Sequence, residues 1–362
     1  MSLNFADRIS RIPVYPAADG YALDESVALL ASNEAPFAPL PEVVEAAARA
    51  VGSSNRYPDP GTNSLRQALS AVTGIPKERI ATGNGSCEIL LALGEALLQP
   101  GRAVVHAWPS FSVYPHMTAT TGADPIRVPL DADYRHDLPA MVAAVTTETS
   151  ILVVCNPNNP TGTMVPLAEI EALLEAVPEN VCVVLDEAYR EFVTSEPVDS
   201  TLDLLNRYPN LVILRTFSKV YGLAALRVGY ALCGSEEIRV AVDQVRQPFF
   251  CNSAAQAAAV EALNHRDEVQ RRVDLVTAER ARLVEMLEAI DFEVSESNAN
   301  FVWARVPSGT NEKELVAGLS ARDILVRAGT ALGEEGFLRI TVGLPEQHDR
   351  LVNAAAELIR GA

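Results

Sequence analysis

The chain has 362 residues, 48% hydrophobic and 21% charged, with 29 basic against 47 acidic side chains and a net charge of −18. That length exceeds one minimal core and points to about two domains. The acidic balance works against nucleic-acid backbones and anionic membranes as partners, and no run of Lys or Arg offsets it.

No apolar stretch reaches the roughly 18 residues of a membrane-spanning helix. Asp7 and Arg8 fall where a signal peptide needs an apolar run, so a cytoplasmic location is expected. Residues 1–35 read as an irregular arm broken by Pro13, Pro16 and Gly20, with one short strand at Val27–Leu30. Pro41 opens a helix with Val43, Val44, Ala47, Ala48 and Val51 on its apolar side. The stretch from Asn55 to Gly61 is dense in turn residues, and a helix over Ser64–Val72 stops before Gly74, a C-cap glycine.

From about residue 80 strands and helices alternate. Gly83-Asn84-Gly85-Ser86 turns into an apolar helix, and Ala103–Ala107 is a strand. Ile151–Cys155 is a strand ending in NPNNPTG, and Leu167, Ile170, Leu173, Leu174 and Val177 mark a helix face. Val181–Leu185 is a strand ending in DEAY, Leu211–Leu214 is a strand ahead of Ser218-Lys219, and Val228–Cys233 is another. Continuous apolar strands alternating with helices predict an α/β fold, with a largely parallel sheet covered on both faces. After about residue 250 the pattern changes to a long helix through Val269–Ile290, shorter strands near Phe301, Ile324 and Phe337, and helices over Glu312–Ser320 and Glu346–Ile359. That is a smaller α+β domain. The expected division is 1–40 for the arm and part of the small domain, 41–255 for the large domain and 256–362 for the small one.

The five cysteines form no CxxC pair and the five histidines no metal spacing, so neither zinc nor a disulfide framework is expected. Ligands gather at the carboxyl ends of strands in open α/β sheets. Four polar segments lie there: 83–88, Asn156–Gly162, Asp186–Tyr189 and Thr216–Lys219. Each has an ordinary structural reading as a turn, a helix cap or a solvated loop. Their convergence argues for a site. A lysine directly after a strand, near cations, suits covalent amine chemistry. The 83–88 turn suits a small phosphate, with Ser218 and Arg227 as further donors. It is no dinucleotide fingerprint, because Glu88 stands where the third glycine is required, and no Walker loop.

Asn159 in NPNNPTG, Asp186 in DEAY, Lys219 in SKVYGLAALRVGY and Arg339 in LRITVG stand in an order and spacing that resembles the fold-type I pyridoxal-phosphate aminotransferases. The likeness is nearest to the histidinol-phosphate branch and its aromatic relatives. LASNEAP, RYPDPG, GNGSCE, NFVW and VRAG extend it along nearly the whole chain. The resemblance implies a mostly parallel seven-stranded sheet covered by helices, plus the smaller α+β domain. It implies pyridoxal 5'-phosphate bound to Lys219, which then carries protons. It makes Asp186 the partner of the pyridinium nitrogen, places Asn159 and Tyr189 at the cofactor's 3' oxygen and stacks Phe111 on its ring. Gly85, Ser86, Cys87, Thr216, Ser218 and Arg227 would hold the phosphate. Tyr57 would reach it from the neighbouring subunit of a homodimer with shared active sites. Arg339 would clamp the substrate α-carboxylate, beside Asn33, with Arg327 and Tyr15 at the distal end.

Three departures from the family pattern stand out: Cys87 for an acidic residue, Ala225 for a glycine and Phe111 for a tyrosine. The implied activity is transamination of L-histidinol phosphate with 2-oxoglutarate in histidine biosynthesis, with an aromatic (phenylalanine) aminotransferase as the alternative. A decarboxylase on the same scaffold and a silent cofactor-binding regulatory module are weaker readings. The regulatory module would need a basic DNA-binding segment that the sequence lacks.

Overall fold

In a computed structural model, residues 3–5, 7–12 and 26–360 are described. They form β1 (Ala28–Leu30), β2 (Ile80–Gly83), β3 (Ala103–Trp108), β4 (Asp124–Pro129), β5 (Thr149–Cys155), β6 (Cys182–Asp186), β7 (Leu211–Thr216), β8 (Gly229–Cys233), β9 (Glu293–Val294), β10 (Phe301–Arg305), β11 (Ile324–Ala328) and β12 (Phe337–Thr341). The large sheet has seven strands in the order β2-β8-β7-β6-β5-β3-β4, parallel except where β8 pairs. A five-stranded sheet, β1-β11-β12-β10-β9, forms the smaller unit.

The large sheet is buried on both faces because its strands alternate two apolar sets. Leu152, Val154, Val183 and Leu185 feed the core on one side. Ile151, Val153, Cys182 and Val184 feed the core on the other. The antiparallel β8 differs from the parallel expectation for a physical reason. The link between β7 and β8, about a dozen residues, holds no crossover helix, only a short 3-10 turn, Ala224–Leu226. A parallel return needs a crossover of a dozen or more residues, usually a helix.

The sequence pattern does not mark several elements. β4 carries prolines at both ends of its pairing with β3 and lies at the sheet edge, where proline is tolerated. The helix Ser253–Ala262 is alanine-rich and lacks a stripe of large apolar residues. Ala255, Ala258, Ala259 and Ala262 nevertheless pack into the large sheet's core.

The small sheet is two-faced. Ala28, Leu30, Val302, Ala304, Leu338 and Ile340 bury against the helices Arg266–Glu288 and Pro345–Arg360 through Leu283, Leu287 and Leu351. Burying Leu30 contributes about 1.5–3 kcal/mol and anchors the chain just ahead of Asn33. The other face carries Phe301, which packs with Tyr189, Val220 and Val276 between the two sheets. Among the described residues no helix is long and apolar enough to cross a membrane.

Candidate active site

Six strands of the large sheet, β2 to β7, point their carboxyl ends to one edge. β2 shares the direction of β7 because each is antiparallel to the β8 between them. At the end of β2, Gly85 takes φ 73 and ψ 167, a backbone region that only glycine enters readily. The helix Ser86–Leu97 starts directly after it, with free N–H groups at its first turn. Gly229 lies against this turn, and a Cβ there would collide with the Ser86 nitrogen. Gly229 in turn pairs with Thr216, bringing the end of β7 alongside.

Thr216 Oγ1 donates to Ser218 Oγ at 3.0 Å and accepts the Ser218 N–H at 3.1 Å. Arg227, at φ 59, donates through Nη1 to the Ala224 carbonyl at 3.0 Å. Its Nη2 lies 2.7 Å from where a Gly85 Cβ would stand. Hydroxyls, helix N–H groups and one guanidinium therefore converge on one cradle, an arrangement suited to a phosphate dianion. Ala225 keeps an ordinary backbone, since the left-handed residue of this turn is Arg227. The substitution for glycine there carries no strain.

Beside the cradle, the Lys219 ammonium donates to the Asn33 carbonyl at 3.0 Å and lies 5.5 Å from the Tyr189 ring centre. Partial burial, then the Arg339 charge, draws its pKa down to about 8. Arg215, the neighbouring cation in the sequence, plays no such part. It is buried on Glu187 at 2.9 Å and reaches Asp199 at 2.7 Å. Asn33 sits at φ 54; its side chain donates to the Tyr189 hydroxyl at 3.0 Å, and its carbonyl also accepts Asn300 Nδ2 at 3.1 Å. Asn159 Oδ1 accepts Arg339 Nη1 at 2.7 Å, and Arg339 Nη2 reaches the Ala31 carbonyl at 2.5 Å.

Asp186 is buried at the end of β6. Burial pushes its carboxyl up to about 6, while hydrogen bonds from the Tyr114 hydroxyl at 2.9 Å and the Ala188 N–H at 3.2 Å oppose the rise. Phe111 meets Tyr114 edge-on at 5.7 Å. Burial and the Asp186 charge hold the Cys87 thiol protonated by raising its pKa.

The structure brings Lys219, Asp186, Tyr189, Asn159, Asn33 and Arg339 together, and Gly85, Ser86, Thr216, Ser218 and Arg227 beside them. Tyr57 stands apart, 80% exposed and stacked on Phe249 at 4.4 Å. Arg327 is half-buried on β11, where it pairs with Arg339 across the strands. Tyr15 lies outside the described residues. Among the described residues no group of His, Cys, Asp and Glu could hold a metal ion.

The family described as "Aminotransferase class I and II" matches residues 25–354. The chain belongs to that family. This aminotransferase is 44% identical over 348 residues to an aromatic amino acid aminotransferase of Thermobifida fusca, covering 96% of this chain and 95% of the relative. It is 41% identical to histidinol-phosphate aminotransferase 1 of Cupriavidus pinatubonensis, covering 96% and 93%. Its fold matches the crystal structure of histidinol-phosphate aminotransferase from Sinorhizobium meliloti in complex with pyridoxal-5'-phosphate, with a TM-score of 0.90 at 29% identity, covering 100% and 99%. It is a pyridoxal-phosphate-dependent transaminase of fold type I.

The aminotransferase's own residues fit that cofactor. A buried carboxylate held, among the described residues, by a phenol and one backbone N–H leaves acceptor capacity for a pyridinium N–H. A lysine amine and the anion cradle lie near it, close enough that Lys219 and Asp186 feel each other's charge. Tyr114 and Asn300 join the site without having been singled out. Tyr114 is the last residue of the PSFSVY segment around Phe111, and Asn300 opens NFVW. The motifs contain them, but only the fold shows whom they touch.

Gly85→Ala tests the cradle. The strained backbone and the contact with Arg227 should cost about 1–3 kcal/mol of stability. Cofactor affinity should fall at the same time, read by titrating the apoenzyme. Unchanged affinity would remove this turn from the phosphate site.

Proposed function

We propose that this aminotransferase exchanges the amino group of an aromatic L-amino acid with a 2-oxo acid such as 2-oxoglutarate. The relative from Thermobifida fusca, named an aromatic amino acid aminotransferase and similar over nearly the full length, carries this reading. Histidinol phosphate, the substrate favoured by the motifs, is the second reading. It is supported by the relative from Cupriavidus pinatubonensis and by Arg327, whose guanidinium has no hydrogen-bond or ion-pair partner among the described residues and suits an anionic tail. A kcat/KM comparison between phenylalanine and histidinol phosphate separates them. Phenylalanine should win, and a tenfold or greater preference for histidinol phosphate, about 1.4 kcal/mol in transition-state terms, would reverse the order.

Bound pyridoxal phosphate supplies an aldehyde for amines and a ring that takes up negative charge from the substrate Cα. In the proposed roles, Lys219 holds the cofactor and moves the proton at its Nζ. A pKa near 8 leaves roughly a tenth of the amine neutral at pH 7, enough to act as a base while still returning the proton. Asp186 keeps the pyridine nitrogen protonated, and Asn159 and Tyr189 steady the 3' oxygen. Ser86, the Cys87 backbone, Thr216, Ser218 and Arg227 bind the phosphate, and Phe111 lies on the ring. Arg339 presents its fork to the α-carboxylate, with Asn33 alongside and Arg327 and Tyr15 towards the distal end.

We also assign Tyr57 to the phosphate of a second copy, making the working unit a homodimer. Its exposure in the single chain supports this. Residues 28–30 and the segment beyond about 283 belong to the small domain. The packing of Ala255–Leu263 with the large core supports a boundary somewhat later than residue 255, inside the helix Arg266–Glu288.

A further inference from the structure

The hydrogen bond between Arg339 and Asn159 joins the two sheets, and two lines of contact lead to it from one distant pair of side chains. Tyr134 belongs to the large unit and sits in a turn at φ 60, an uncommon conformation for an aromatic residue. Its hydroxyl accepts Arg305 Nη2 from β10 of the small sheet at 2.5 Å. Its carbonyl accepts Thr163 Oγ1 at 2.6 Å. The Thr163 and Thr161 hydroxyls are 2.8 Å apart, and Asn158 Nδ2 donates to Thr161 Oγ1 at 2.9 Å. Asn158 is the neighbour of Asn159, and its own Oδ1 accepts Ser110 Oγ at 2.7 Å. The first line thus starts at an exposed contact and passes through progressively more buried hydrogen bonds to Asn158, next to one end of the joint.

The second line runs along the small sheet. The Arg305 guanidinium lies 4.4 Å over the Phe337 ring, and Phe337 stacks on Trp303 at 4.8 Å and 5°. Phe337 precedes Arg339 by two residues on β12, so both point to one face. Trp303 stands directly opposite Arg339 in the β10–β12 register. Trp303 and Phe337 are both fully enclosed, so this stack has little freedom to shift without moving β12.

The plain alternative is a surface contact of no consequence, since the Arg305 side chain is 44% exposed and also nears Glu293 at 3.5 Å. Two features set it apart. The phenol is held by a backbone turn of restricted conformation. The contact also spans the two units beside a cavity of about 340 Å³, and the Tyr134 ring meets Phe337 edge-on at 5.4 Å in the same place.

We propose that Tyr134 and Arg305 are positioning residues, whose hydrogen bond across the units holds Asn159 and Arg339 in register and so sets affinity for the substrate α-carboxylate. The inference rests on the reading of Arg339 as the carboxylate clamp.

The holoenzyme tests it with Tyr134→Phe, Arg305→Gln and the double variant. The readout is the dissociation constant of 3-phenylpropionate, an unreactive carboxylate, alongside steady-state kinetics with phenylalanine. Each single variant should weaken the inhibitor by about 3- to 10-fold, the scale of one ordinary, solvent-weakened hydrogen bond. KM should rise in parallel while kcat stays within about twofold. The double variant should be no worse than the weaker single, because both break one contact. Arg305→Lys should restore part of the affinity.

Inhibitor binding unchanged in both singles, or effects that add in the double variant, would overturn the proposal. Should Tyr134→Phe fail to fold, the exposed Arg305→Gln carries the test alone. Arg339→Lys in the same assay separates the two levels. If it leaves 3-phenylpropionate binding intact, the clamp reading itself fails, whatever the latch variants do.

Discussion

Lys219→Ala is expected to lower transamination by more than about 10,000-fold, at or beyond the upper end of what one positioned proton carrier contributes. The loss combines two roles, holding the cofactor and moving the Cα proton. Lys219→Arg should be equally inactive. Arginine keeps the charge but stays protonated at any working pH and cannot act as the base. The pair therefore separates proton transfer from simple electrostatics. Single turnover with phenylalanine, followed by cofactor absorbance, checks it, and an arginine variant within tenfold of wild type would sink the assignment. The pH dependence adds a second signature. The folded apoprotein releases the Lys219 proton near 8, whereas an unfolded chain keeps it to about 10.5. Between those values the unfolded state binds more protons, so apoprotein stability rises with pH across that window, and below it the cost of burying the charge is fully present. Replacing Lys219 by a neutral residue should abolish that slope and stabilise the apoprotein at pH 7.

Much of this site can be read from the chain because its parts are local. Lys219, Asp186 and Asn159 each follow an apolar strand by only a few residues, and parallel strands align their ends whatever the details of packing. The cradle is similarly local, since Gly85 and the helix after it are contiguous. What escapes the sequence is contact between distant segments. Tyr114 meets Asp186 across 72 residues. Nothing in its own surroundings distinguishes it from a core tyrosine. The Asn33 carbonyl serves Lys219 through a left-handed backbone that asparagine tolerates but does not announce. Arg215 looked like the cation beside Lys219, yet alternation along β7 turns it towards Glu187 instead. The direction of β8 and the alanine-rich helix Ser253–Ala262 are likewise matters of connection length and close packing. Tertiary structure decides those more than residue pattern.

Asp186→Asn should cut kcat by about 100- to 1,000-fold, the range seen when one preorganised charge-stabilising group is removed. Yet it should make the apoprotein more stable. The carboxyl titrates near 3.8 in an unfolded chain and near 6 in the fold, because burial penalises its charge. Between those values the folded state binds the extra proton, so stability falls as pH rises, by up to about 3 kcal/mol once both states are ionised. The amide removes that cost. Cofactor binding should then stabilise wild type more than the variant, because only the carboxylate gains a cationic partner. Thermal melts of apo and loaded protein at pH 4 to 7 measure both effects. An apo variant no more stable than wild type at pH 7 would contradict the burial argument. Tyr114→Phe isolates the phenol's share. Its hydrogen bond favours the ionised carboxylate by about 1.5–3 kcal/mol, so its loss should push the Asp186 pKa up by about one to two units. In the apoprotein the pH range over which stability falls should move upward with it, read from thermal melts of the variant between pH 4 and 8. A stability profile that keeps its wild-type pH range would show that Tyr114 merely packs beside Asp186 and leaves its charge alone.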